Sequence, residues 1–234
     1  MKKKTLGFVH TSATLVPIFQ ELSQKHIPNV DTFNIADDSL IKDVIRRGEM
    51  TAGTARRVVE HVGSAAAAGA DYILVTCSSI GKAVETAATL TGVPVLRVDQ
   101  PMADKAVSMG KRIGVIATLP TTLEPTADLV RRRAAVTGAD IELVERLCDG
   151  AFEALMGGDA ATHDAEVSSA LKSLSKEVDV ILLAQASMAR VVDTLDAEDR
   201  KTPILASPEI AMEYLSKVLG SAGTVAGSCS ADAD

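Results

Sequence analysis

Three segments of this 234-residue chain recur in its second half, in the same order and at nearly the same offset. Leu6-Gly7-Phe8-Val9-His10-Thr11 resembles Ile113-Gly114-Val115-Ile116-Ala117-Thr118, and Pro94-Val95-Leu96 resembles Pro203-Ile204-Leu205. Between them, Asp71-Tyr72-Ile73-Leu74-Val75-Thr76-Cys77-Ser78-Ser79 resembles Asp179-Val180-Ile181-Leu182-Leu183-Ala184-Gln185-Ala186-Ser187. Any one match could arise by chance. Three in order point to two homologous lobes related by a pseudo-twofold axis. The expected boundaries are an N-terminal lobe over residues 1–98, completed by residues 208–220, and a C-terminal lobe over residues 99–207. The small, polar stretch 221–234 is expected to be a flexible tail.

The repeated segments are themselves informative. Leu6–Val9, Tyr72–Val75, Val93–Val98, Ile113–Ala117, Val180–Leu183 and Pro203–Ala206 are short and almost uniformly apolar. Strands of this kind belong in a parallel sheet covered on both faces. Thr51–Ala68, Leu123–Thr137, His163–Lys176 and Pro208–Leu219 read as helices, with Gly138 as the stop of the second. Strand–helix alternation of this kind defines an α/β fold: two pseudo-symmetric lobes, each a parallel sheet flanked by helices, with the active site in the cleft between them.

Composition excludes several function classes. Only 3% of residues are aromatic and the formal net charge is −7, so base-stacking platforms are scarce and phosphate backbones are repelled. No nucleic-acid partner is expected. The low aromatic content also points to a small polar substrate rather than an aryl one. No apolar stretch is long enough to span a bilayer. Lys2-Lys3-Lys4 before Leu6–Val9 imitates a signal peptide, but His10-Thr11-Ser12 interrupts the run, which reads as a buried first strand. Cys77, Cys148 and Cys229 are an odd set without CxxC spacing, which suits a reducing, cytoplasmic compartment and no metal site.

Ligands of open parallel sheets bind beyond the carboxyl ends of the strands. Those ends carry His10-Thr11-Ser12, Thr76-Cys77-Ser78-Ser79, Thr118 with Thr121 and Thr122, and Gln185-Ala186-Ser187. Hydroxyls, amides and one thiol, helped by unpaired N–H groups at helix starts, suit a small carboxylate without a lysine or arginine. A lone cysteine is more often a small core residue, and Cys148 is read so. Cys77 differs in standing at a strand end before a helix, where a thiol can have a depressed pKa and serve as base or nucleophile. His10 is either a second acid/base group or a packing residue, while His26, His61 and His163 are expected in surface loops or helices. Arg131-Arg132-Arg133 reads as a solvated helix face. Gly7 and Gly114 build no GxGxxG pattern and no P-loop is present, so no nucleotide cofactor is expected.

At Val75-Thr76-Cys77-Ser78-Ser79, and again from Ile113 through Thr118, Leu119, Pro120 and Thr121 to Thr122, the chain resembles the aspartate/glutamate racemase superfamily. That group includes glutamate, aspartate and hydantoin racemases, maleate isomerase and arylmalonate decarboxylase. The resemblance implies chemistry at the carbon beside a carboxylate, without pyridoxal phosphate or any other cofactor, in a protein that is plausibly a homodimer. It also implies two cysteines, one per lobe, on opposite faces of the substrate. Here the chain departs: the position that answers to Cys77 in the second lobe holds Gln185, which cannot shuttle a proton at neutral pH but can hydrogen-bond a developing oxyanion. Three readings follow. The first is an isomerase or racemase with Cys77 as thiolate base or nucleophile. The second is a single-cysteine decarboxylase or other lyase, and the third is an inactive small-anion binding protein. In the first two, Thr11, Ser12, Ser78, Thr118, Thr121 and Ser187 are the expected charge-stabilising donors, with His10, Thr76, Ser79, Thr122 and Ala186 as further substrate contacts.

Overall fold

The computed structural model describes residues 3–221. Cys229 and the expected tail beyond Ser221 lie outside them. The first half runs β1 (Thr5–His10), α1 (Leu15–His26), β2 (Asp31–Ala36), α2 (Asp38–Arg47), α3 (Ala52–Ala67), β3 (Tyr72–Val75), α4 (Gly81–Thr89) and β4 (Val95–Arg97). The second half repeats the plan with α5 (Gln100–Met109), β5 (Arg112–Ala117), α6 (Pro120–Thr137), β6 (Glu142–Leu147), α7 (Ala151–Met156), α8 (Ala160–Leu174), β7 (Val180–Leu183), α9 (Ala189–Val192), β8 (Ile204–Ala206) and α10 (Ser207–Ser221). Two four-stranded sheets result, ordered β2-β1-β3-β4 and β6-β5-β7-β8, and every pairing is parallel. The two orders are the same order, so the sequence repeat is a repeat of topology.

Each central strand is apolar on both faces because helices cover both. Along β3, Ile73 and Val75 face α2, α3 and α4, while Leu74 faces α1 and α10. Along β7, Val180 and Leu182 face α5 and α6, while Ile181 and Leu183 face α8 and α9. Fully burying one such side chain contributes about 1.5–3 kcal/mol, so the alternate faces of these short strands hold much of the core together. Helix α10 leaves the second sheet after β8 and lays Ala211, Met212, Leu215 and Leu219 against Leu6, Phe8 and Leu96 of the first.

Local chemistry sets the helix ends. The Thr51 side chain accepts the Thr54 N–H at 3.2 Å and so starts α3, and Asp37 accepts the Ser39 N–H at 3.1 Å and starts α2. Gly138 stops α6 at φ 69°, a left-handed conformation that a residue with a Cβ resists.

One surface expectation is corrected. His163 is fully buried, because α8 turns it inward beside Val167 and Leu171. The arginine run is exposed at Arg131 and Arg132, as expected of a solvated face, and carries ion pairs: Arg131 with Glu145, Arg133 with Asp104, and Arg132 with Asp128 and, across the lobes, with Glu85 of α4. Among the described residues no helix is long and apolar enough to cross a membrane.

Candidate active site

The carboxyl ends of β1, β3 and β7 and the start of α6 meet at a cleft of about 360 Å³ between the lobes. Thr76 and Cys77 follow β3, and a 3-10 turn at Ser78–Ile80 leads into α4. Ala184 and Gln185 follow β7, and a matching turn at Ala186–Met188 leads into α9. Cys77 (φ −139°, ψ 123°) and Gln185 (φ −131°, ψ 136°) cap these turns in nearly the same backbone conformation. They are topological counterparts, and both line the cleft.

Cys77 is half-buried. Burial pushes its thiol up; hydrogen bonds from the Thr11 hydroxyl, the Ser79 and Ile80 backbone N–H groups and the Ser79 hydroxyl pull the other way without overcoming it. The depressed pKa expected for a thiol at a helix start is therefore corrected. The turn supplies its N–H groups, but desolvation of the thiol outweighs them.

The second lobe supplies an amide. Gln185 Oε1 accepts from the Thr118 backbone N–H at 2.6 Å and from the Thr118 hydroxyl at 3.0 Å. A backbone N–H can only donate, so the amide orientation is fixed and its NH₂ end remains for a ligand. The lobes touch at the same place: the hydroxyls of Ser79 and Thr122 lie 3.0 Å apart.

Of the residues singled out in the sequence, Thr11, Ser12, Thr76, Cys77, Ser78, Ser79, Thr122, Gln185, Ala186 and Ser187 line the cleft. Three do not. His10 is fully buried behind Thr76, with Nδ1 2.8 Å from the Thr76 hydroxyl and Nε2 2.9 Å from Asn34 Oδ1. Burial lowers its pKa, its ring stacks on Phe8, and both nitrogens are engaged, so it orients Thr76 rather than reaching into the cleft. Thr118 is turned to Gln185. The Thr121 hydroxyl is buried without a hydrogen-bond partner and lies outside the lining.

Much of the wall was not foreseen. Asp38, Ile41, Lys42 and Ile45 come from α2, and Phe152, Leu155 and Met156 from α7. Leu15, Phe19 and Leu119 add further apolar surface. Two of the chain's four phenylalanines, Phe19 and Phe152, thus line the cleft. Among the described residues, no group of three or more His, Cys, Asp or Glu side chains is arranged to hold a metal ion.

Residues 8–215 match the model of the Asp/Glu/Hydantoin racemase family. The chain belongs to that family. Solved structures share its fold. A glutamate racemase from Francisella tularensis subsp. tularensis, solved in complex with D-glutamate, is 14% identical with TM-score 0.73 over 95% of this chain and 83% of that one. A glutamate racemase isoform from Bacillus anthracis is 19% identical with TM-score 0.67 over 97% and 85%. An allantoin racemase from Klebsiella pneumoniae is 14% identical with TM-score 0.65 over 94% and 89%. No curated protein sequence matches the chain.

Proposed function

We propose that this protein is a cofactor-independent isomerase or racemase that acts at the α-carbon of a small carboxylate, with Cys77 as its proton-transferring or nucleophilic group. The observation that carries this reading is the placement of Cys77 and Gln185 at matching strand ends on one cleft, with Thr11, Ser78 and Ser79 lining it beside Cys77. A proton beside a carboxylate is very weakly acidic, so its removal needs donors aimed at the enediolate oxygens. Each well-placed donor is worth about 3 kcal/mol in the transition state. The Gln185 NH₂, the hydroxyls of Thr11, Ser12 and Ser187 and the N–H groups of the Ser78 turn are the candidates. Gln185 holds no transferable proton at neutral pH, so the second face of the carbanion is served by a water or not at all.

A lyase is the second reading, favoured by one observation. Among the described residues, the cleft lining presents one thiol, Cys77, with an amide, Gln185, at its counterpart. In a decarboxylation the departing carboxyl group leaves the carbanion, and one proton donor suffices.

Single enantiomers, geometric isomers and 2-substituted malonates, incubated with wild type and Cys77→Ser, separate the readings. Cys77-dependent isomer formation without mass change supports the first, and Cys77-dependent release of carbon dioxide supports the second. Stabilisation by acids with no turnover in either protein would leave an anion-binding protein in place of an enzyme.

A further inference from the structure

We infer that the substrate is a monocarboxylate carrying an apolar substituent, and that α2 and α7 select it. This rests on the enzymatic reading above and specifies its substrate class. One side of the cleft offers hydroxyls, backbone N–H groups and the Gln185 amide, enough for a single carboxylate. The rest of the wall offers hydrocarbon: Ile41 and Ile45 project from α2, and Phe152 and Leu155 from α7. Among the described residues lining the cleft, only Asp38 and Lys42 carry full charges, and they pair with each other one turn apart on α2. No arginine lines it. A second substrate carboxylate would leave water for an apolar wall, where the one cation to meet it, the exposed Lys42, already stands beside the Asp38 carboxylate. An alkyl or aryl substituent meets the opposite balance, because each methylene moved from water onto such a wall tightens binding about fourfold.

The test is calorimetric titration of full-length Cys77→Ser, which cannot complete Cys77 chemistry, with matched 2-amino and 2-hydroxy acids. Leucine and 2-hydroxyisocaproate are set against glutamate, aspartate and malate. The expected result is at least tenfold tighter binding of the apolar acids in one of the two series, with a several-fold loss of that preference in Phe152→Ala and in Ile45→Ala. Tighter binding of the dicarboxylates, abolished by Lys42→Met, would overturn the inference, as would failure of every acid to bind. The enzymatic reading fails separately: an apolar preference in binding, together with no Cys77-dependent turnover by the wild type of any acid that binds, leaves the pocket's selectivity intact and removes only the chemistry.

Discussion

The Gln185 side chain is clamped by one residue: Thr118 donates to its Oε1 from the backbone at 2.6 Å and from the hydroxyl at 3.0 Å. The clamp makes the amide a fixed donor rather than a spectator. A glutamate at this position accepts both Thr118 bonds but presents no NH₂ and adds a negative charge where an oxyanion forms. Gln185→Glu is therefore expected to unfold in urea within about 1 kcal/mol of wild type and to lose about 10²–10³-fold in kcat. Gln185→Cys is expected to add proton exchange from the second face, read as faster deuterium entry at the α-position of the enantiomer that wild type exchanges more slowly.

The raised Cys77 thiol predicts the pH profile and separates its two roles. As a base, Cys77 works only once deprotonated, so kcat/KM rises with pH and levels off only above the ordinary thiol value of about 8.5. As a proton donor, it gives a profile that is flat through neutrality and falls above that same point. Stability shares the sign. Burial raises the Cys77 thiol; it also raises Cys148, to about 11, with the nearby Glu166 charge adding to the effect. The folded chain then keeps protons that the unfolded chain releases. The stabilisation is complete below the unfolded thiol value and is lost as pH climbs toward the folded ones. Urea unfolding at neutral and alkaline pH reads this directly.

Arg97 underpins the Cys77 turn. Its guanidinium grips Asp99 at 3.0 and 2.8 Å and Glu85 at 2.5 Å, is almost fully buried, and lies against Gly81, the first residue of α4. A Cβ on Gly81 would fall 2.1 Å from the Arg97 guanidinium carbon. Because three hydrogen bonds hold that guanidinium in place, Gly81→Ala is expected to cost about 1–3 kcal/mol by overpacking and to lower turnover by shifting the Cys77 turn. Arg97→Leu strands the buried Asp99 carboxylate and is expected to cost about 3–5 kcal/mol. Urea denaturation and steady-state kinetics on the same preparations check both.

Asp37 ties α2, and hence one wall of the cleft, to the first lobe. Burial alone would raise its pKa, but hydrogen bonds from Ser39 and His61 and the Arg57 charge bring it down to about 2. The folded value lies below the unfolded one, so this stabilisation is present above about pH 4 and lost as pH falls toward 2. Asp37→Asn is expected to flatten the acid limb of stability against pH and to raise KM more than it lowers kcat, because the wall moves and the chemistry does not.

What could be read from the sequence followed burial. β1, β3, β5 and β7 are covered on both faces, so Leu6–Val9, Tyr72–Val75, Ile113–Ala117 and Val180–Leu183 announce themselves as apolar runs. β2 and β6 are edge strands. Asp31-Thr32-Phe33-Asn34-Ile35-Ala36 and Glu142-Leu143-Val144-Glu145-Arg146-Leu147 are only partly covered, carry polar residues, and form no such run. The strand-end residues of the cleft were legible for the same reason, since locating the strands locates their ends. The α2 and α7 walls were not, because these short helices divide few apolar residues between core and cleft: on α2, Leu40 and Val44 join the core while Ile41 and Ile45 line the cleft. The Asp37 cap and the i, i+4 spacing of Leu40 and Val44 were the available signal for α2. For His10 the packing reading holds; its place among the substrate contacts does not, and Asn34, which takes its outer nitrogen, belongs to the unrecognised β2.

The most direct test of the account is whether Cys77 moves a proton at carbon. Small 2-substituted acids and malonates would be incubated in deuterium oxide with wild type and with Cys77→Ser, and the α-position followed by proton NMR. The predicted result is loss of an α-proton signal, or deuterium in a decarboxylated product, with wild type, and a reduction of about 10²–10⁴-fold in Cys77→Ser. Exchange at an unchanged rate in Cys77→Ser, or acids that bind wild type with no exchange and no product, would contradict the assignment.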